Sequence, residues 1–215
     1  KFQVGFNRPY SRIMQEAKRL FRKARRGRTL ILYRIVGENV LWPKFHRDDV
    51  ASGRSNTIVH EVTHIFDLLN WLTDQDPQRV YATGGPSDDH SIVLNYPDET
   101  VATIVSGSCG TEGYTKERME IFTDNKTIVM DDFVDLECAQ IPGEENRRFP
   151  LKSDPIRGRT EGVSAAELRR ELKSWRAALT PEQIKVGYYY DNRPCVDKGH
   201  AASLQFLYEA IRRDQ

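Results

Sequence analysis

The sequence predicts an α+β fold, a large, mostly antiparallel sheet with helices on one face, and three observations carry that expectation. Residues 90–96 and 100–107 are β-branched runs flanking Pro97-Asp98-Glu99, and residues 117–123 and 126–130 flank Asp124-Asn125, so two hairpins follow one another. The helical stretches lie before and after this block instead of alternating with it, which is not the pattern of a parallel, doubly wound sheet. No Gly-x-Gly-x-x-Gly sequence occurs to mark a dinucleotide-binding turn.

Taken in order, residues 2–6 are short, apolar and strand-like, and Asn7-Arg8-Pro9-Tyr10 interrupts them. Ser11 then caps a helix to about residue 26 that turns Ile13, Ala17, Leu20, Phe21 and Ala24 to a core. Residues 29–36 (TLILYRIV) read as a central strand, and residues 37–57 as a long irregular segment of the kind that often carries function. Within it Trp42-Pro43-Lys44 and His46-Arg47-Asp48-Asp49 offer aromatic, cationic and anionic groups. The same composition also suits an ordinary surface loop. Residues 58–72 form the next helix, and residues 78–83 and 134–139 add strands to the hairpins. Residues 140–163 form a polar excursion. Ser164-Ala-Ala-Glu167 and Thr180-Pro-Glu-Gln183 are capping boxes that start two more helices. Tyr188-Tyr189-Tyr190 reads as a strand or loop edge. A last helix opens after Lys198-Gly199, with Ala202, Leu204, Phe206, Leu207 and Ile211 expected to dock on the body of the domain.

The 215 residues carry no Gly/Ser/Pro-rich linker and read as a single domain, 1–215. Charged residues make up 29%, yet 32 basic and 31 acidic side chains leave a net charge of +1, so nothing in the overall field recruits nucleic acid or an anionic membrane. The basic residues between Lys18 and Arg28 decorate the solvent side of an amphipathic helix. Cys109, Cys138 and Cys195 are an odd, widely spaced set, which excludes a disulfide framework and fits a reducing cytoplasm. No apolar run reaches the roughly 20 residues of a membrane span. The chain opens at Lys1 inside a strand-like stretch, as a fragment of a longer protein would.

The candidate chemistry sits on the helix of residues 58–72. At about 100° per residue, Ile58, Val62, Ile65, Leu69 and Leu72 share an apolar stripe, and His60, His64, Asp67 and Trp71 share the opposite side. Two imidazoles are thereby placed one turn apart, with Asp67 three residues beyond the second and able to orient it through a ring N–H. His60-Glu61-Val62-Thr63-His64 is also the literal His-Glu-x-x-His pattern, in which two histidines bind zinc and the glutamate activates water. Two hydrogen-bonded histidines on a buried helix would have the same spelling.

Over nearly its whole length the chain resembles the C-terminal domain of the glucose-fructose oxidoreductase / inositol dehydrogenase (Gfo/Idh/MocA) family. The likeness rests on Val4-Gly-Phe-Asn-Arg8, His64-x-x-Asp67-Leu-Leu-x-Trp-Leu72, Pro77-x-Arg-Val-Tyr-Ala82, Pro97-Asp-Glu-Thr-Val-Ala-Thr103, Lys116-Glu-Arg-Met-Glu-Ile-Phe122, Asp131-Asp-Phe133 and Lys198-Gly-His-Ala-Ala202 in that order. It implies a full-length protein whose N-terminal Rossmann domain, absent from this chain, binds NAD or NADP, with no cofactor bound to this chain alone. It further implies a sheet domain that closes the substrate pocket, forms homo-oligomers through its open face and acts on a small molecule such as a sugar or polyol. By position, His64 matches the family's proton-transfer histidine, a role suited to a group titrating near neutrality. His60 stands where many members have aspartate, and Arg54-Ser55-Asn56 where glycines are common. Asn7 and Arg8 match the junction near cofactor and substrate, where tethering accounts for them equally well. The catalytic candidates are therefore His64, His60 and Asp67, the substrate-binding candidates Asn7, Arg8, Trp42 and Lys44, and no metal is expected. Two other classes stay open, a zinc metallopeptidase through residues 60–64 and a non-catalytic oligomeric relative. The peptidase lacks the histidine continuation, since position 67 is Asp67 and position 70 is Asn70.

Overall fold

The computed structural model describes residues 3–86, 88–152, 162–186 and 193–213. Eight strands form one sheet in the order β2-β3-β4-β1-β5-β6-β7-β8: β1 (Thr29–Val36), β2 (Arg79–Gly84), β3 (His90–Asn95), β4 (Val101–Gly107), β5 (Glu117–Thr123), β6 (Lys126–Asp131), β7 (Asp135–Ala139) and β8 (Arg147–Arg148). Every neighbouring pair is antiparallel except β1 and β4, which run parallel from Leu30↔Val101 to Val36↔Gly107. The chain between these two strands holds the histidine helix and the β2/β3 strands, so the single crossover delivers that helix to the buried face of the sheet.

Strand alternation decides which face is buried. Ile31, Tyr33 and Ile35 of β1, Ala102 and Ile104 of β4, Met119 and Ile121 of β5, and Ile128 and Met130 of β6 point one way into the core. Helix α1 (Arg12–Ala24) covers them with Ile13, Met14, Ala17, Leu20, Phe21 and Ala24, and α3 (Thr63–Thr73) adds Ile65, Leu68, Leu69 and Leu72. Ser11 caps α1 by accepting from the Met14 backbone N–H at 3.3 Å. The turn between β5 and β6 places Asp124 at φ 47° and Asn125 at φ 59°, the paired left-handed residues of a tight hairpin. A smaller core of Val134, Leu151, Val163, Leu168 and Leu172 seats α4 (Ala165–Ala177), whose Ser164–Glu167 capping box is formed as predicted.

Several expectations are corrected. Residues 3–6 form no strand; they run as irregular chain into a 3-10 turn at Arg8–Tyr10. Residues 37–57 are largely ordered, with a second 3-10 turn at Asn39–Leu41 and a helix, α2 (Lys44–Ala51), which polar residues hid from an apolar periodicity. The polar excursion contains β8, and Phe149 bridges Val163; its residues 153–161 lie outside the described residues, as do Tyr188-Tyr189-Tyr190. After the short α5 (Pro181–Val186) comes α6 (His200–Arg212), which does not bury the apolar side chains expected to dock it. Leu204 is 69% and Phe206 55% exposed. Helix α6 is held at its start. Gln3 donates to Ser203 Oγ at 2.7 Å and the rings of Tyr10 and Phe206 lie 5.4 Å apart. Gly199, at φ +86°, leaves no room for a side chain, since a Cβ would lie 2.4 Å from Ser11 N.

Candidate functional site

The histidine segment is two helices in succession. A π-helical turn spans Ile58–Val62, and α3 follows directly from Thr63. A wider turn of this kind rotates the residues before it relative to a uniform α-helix, and such turns recur at functional sites. His60 and His64 therefore bracket a change of winding. The apolar stripe is kept by Val62, Ile65, Leu69 and Leu72, while Ile58 is only partly buried.

A cavity of about 530 Å³ opens beside this junction. Gly5, Asn7 and Arg8 line it from the N-terminal segment, Trp42, Pro43 and His46 from the start of α2, and His60, Glu61 and His64 from the winding change. Lys116 enters just before β5, Lys152 after β8, and Arg193, Cys195, Val196, Lys198 and His200 from the approach to α6. Chain segments far apart in sequence meet here through backbone bonds, as where Lys152 N–H donates to Cys195 O at 2.7 Å.

A buried ion-pair network supports the wall. Glu117, with no exposed side-chain surface, accepts from Arg8 Nε at 2.8 Å and Arg8 Nη2 at 2.9 Å, from the Tyr33 hydroxyl at 2.5 Å and from Lys198 Nζ. Burial alone would favour a neutral Glu117, but the charges of Arg8 and Lys198 overcome it and hold the carboxyl well below the usual range. Beside it Glu61 accepts from Lys116 Nζ at 3.0 Å and lies 3.6 Å from Arg8 Nη2. Burial opposes its ionisation too, and Lys116 and Arg8 prevail, bringing its pKa down to about 2. Asn7 donates to Lys198 O at 2.7 Å. Asn7 and Arg8 thus tether the chain and line the cavity at once.

Facing this charged wall, His64 packs edge-on against Phe6 with ring centroids 5.3 Å apart, and its Nδ1 is buried without a hydrogen-bond partner. Burial, then the positive charge of Arg8, lowers its pKa to about 4. A neutral imidazole on the cavity wall results. The His60 ring lies tilted at 45° against His46 with centroids 4.5 Å apart, and its Nε2 is likewise buried and unpartnered. Burial, then the nearby His60, lowers the pKa of His46 as well.

Of the residues singled out from sequence, Asn7, Arg8, Trp42, His60 and His64 line the one cavity, and Lys44 and Asp67 do not. Lys44 pairs with Asp48 at 2.5 Å one turn along α2, a contact open to it because this stretch is helical. Asp67 does not orient His64. No hydrogen bond joins the two: His64 Nδ1 has no partner, its ring packs against Phe6, and burial alone pushes the Asp67 carboxyl up. The basic residues Lys116, Lys152, Arg193 and Lys198 and the network acid Glu117 carried no site expectation. Lys116, Glu117 and Lys198 stand in the family-like segments, which is the signal that could have found them; Lys152 and Arg193 have none. For the zinc alternative, no group of three His, Cys, Asp or Glu side chains able to hold a metal exists among the described residues, and Glu61 is engaged by two cations.

Residues 14–129, more than half of the chain, match the GFO/IDH/MocA C-terminal domain, and the chain belongs to that family. No curated protein is similar enough in sequence to match. Among solved structures it is similar to the UDP-N-acetylglucosamine 3-dehydrogenase GnnA from Acidithiobacillus ferrooxidans, with 18% identity and a TM-score of 0.54 over 95% of this chain and 59% of that one. It is also similar to an oxidoreductase domain protein from Kribbella flavida, with 15% identity and a TM-score of 0.53 over 94% of this chain and 60% of that one. At these identities the likeness establishes the fold, and the chain spans about three fifths of each relative's length. Among the described residues no helix is long and apolar enough to cross a membrane.

Proposed function

We propose that this chain is the substrate-side domain of a nicotinamide-dependent oxidoreductase acting on a hydroxyl of a sugar, polyol or related small molecule. The observation that carries this reading is His64: neutral, half-buried, and on the wall of a cavity large enough for a sugar. Such an imidazole accepts a hydroxyl proton as the carbon is oxidised and returns it in the reverse direction. Arg8, Lys116 and Lys198 hold the wall rigid through Glu117 and Glu61, so the imidazole meets a substrate with little reorganisation.

The described residues do not fit a dinucleotide themselves. Among the described residues the one parallel strand pair, β1 and β4, carries no glycine-rich turn into a helix N-terminus. Hydride transfer therefore belongs to a cofactor, NAD or NADP, held outside this chain. Calorimetry on the 215-residue chain is expected to show no micromolar NADH binding, and the chain is expected to turn over no polyol, whereas the full-length protein does both. Micromolar NADH affinity of the isolated chain would refute this division of labour.

The outer face of the sheet supports a homo-oligomer. Leu30 and Leu32 of β1, Val105 of β4 and Phe122 of β5 lie on adjacent strands with 37–45% of their surfaces exposed, an apolar patch on the side opposite the core. Light scattering is expected to report a dimer or larger species, shifted toward monomer by Leu32→Glu. A strictly monomeric protein at high concentration would count against this face as an interface.

A further inference from the structure

The chain as a whole is nearly neutral at +1, yet the residues lining the cavity include five cations, Arg8, Lys116, Lys152, Arg193 and Lys198, and one carboxylate, Glu61. Among the described residues, Asp197 precedes Lys198 in the chain, and further acids that balance the cations lie behind the wall. Glu117 and Glu112 have no exposed side-chain surface and take Arg8, Lys198 and Arg193 from beneath. Asp132, buried there too, has its carboxyl pushed toward the neutral form by that burial. Lys152 ion-pairs with no carboxylate among the described residues. Burial, then the charges of Lys152, Lys198 and Arg8, lowers the pKa of His200 against the opposing charge of Asp197, and Lys152, Lys198 and His200 line the same cavity. Like charges gathered in a half-enclosed cavity repel, and a bound anion relieves that cost where a neutral ligand does not.

Resting on the reading of this cavity as the substrate site, we propose that its ligand is anionic: a sugar or polyol bearing a phosphate or carboxylate, held on the side lined by Lys152, Arg193 and Lys198 while a hydroxyl faces His64. The polarity of the lining fits the division. Lysine and arginine bind acid oxygens through charge-assisted hydrogen bonds, and the imidazoles of His60 and His64 in the same lining suit hydroxyls. A neutral sugar would offer no acid oxygen to Lys152, the member of this side with no carboxylate partner among the described residues, which disfavours it.

The test is titration of the 215-residue chain with glucose 6-phosphate, glucuronate and glucose, read from the histidine ring proton signals in NMR spectra. Glucose 6-phosphate, glucuronate or both are expected to shift the His60 and His64 signals at concentrations where glucose shifts neither, and to lose affinity as ionic strength rises. Response to only one of them assigns the acid as phosphate or as carboxylate. Lys152→Ala, at an exposed position, is expected to weaken that binding about tenfold, with Lys152→Arg restoring most of it. Glucose binding as tightly as the anions would overturn the proposal and leave the pocket reading intact. An unchanged affinity in Lys152→Ala would overturn the assignment of the acid group to Lys152. No histidine response to any of the three would overturn both the anion proposal and the pocket reading.

Discussion

Replacing His64 by alanine in the full-length protein is expected to lower turnover at least about a hundredfold, the ordinary contribution of a general acid/base group, while shifting stability by no more than about 1 kcal/mol. The two effects separate because His64 makes one edge contact, with Phe6, and leaves Nδ1 without a protein partner, so little folding energy is invested in it. With its pKa at about 4 the imidazole is already neutral at physiological pH. The acid limb of kcat/KM for hydroxyl oxidation should therefore fall only as pH approaches about 4, and not near the ordinary histidine value of 6.5. A stability loss as large as the activity loss would mean that His64 serves the fold, and a limb near 6.5 would mean that the full-length protein leaves its imidazole at the ordinary value. The same preparation separates the remaining classes. A metallopeptidase would carry about one zinc per chain by elemental analysis and lose proteolysis in Glu61→Gln, and a non-catalytic relative would show no turnover for His64→Ala to lower.

Substituting Glu117 by glutamine is expected to cost about 3–5 kcal/mol in chemical denaturation of this chain, the effect of removing one member of a buried ion-pair network. Arg8 would keep only Glu61, 3.6 Å away and already shared with Lys116, Lys198 would lose its carboxylate, and the Tyr33 hydroxyl would lose its ionised acceptor. Acid titration provides the second readout. His64 is held from 6.5 down to about 4, so the unfolded chain takes up its proton first, and stability falls as pH drops through that interval. Glu61, lowered from 4.5 to about 2, and Glu117, lowered well below 4.5, contribute stability present above pH 4.5 and lost as pH falls toward their folded values. Two successive losses are expected in the wild type, and Glu117→Gln should shrink the lower one. A cost under about 1 kcal/mol would show that water reaches Arg8 and Lys198 when Glu117 is neutral.

The amino-acid sequence by itself determined the strand block, the capped helices and the family. Those features are local: alternation from Thr29 to Val36 fixes a strand, Ser11 and Ser164 fix helix starts, and Asp124-Asn125 fixes a turn, each within a few residues. It also located the histidine helix and the N-terminal Asn7 and Arg8, because their spacing and order are visible along the chain. Only the tertiary structure decided what surrounds them. Lys116, Lys152, Arg193 and Lys198 line the cavity with His64 from segments 52 to 134 positions away, and around Lys152 and Arg193 nothing in the sequence marks them as cavity lining. The π-helical turn was illegible for a related reason: a wider turn keeps the same apolar spacing on one side, so Val62 and Ile65 look like an unbroken α-helix while His60 is rotated. The apolar side of α6 was expected to be buried because periodicity reports that a face is apolar. What that face meets depends on where the chain puts the helix, and within this chain Leu204 and Phe206 remain in solvent.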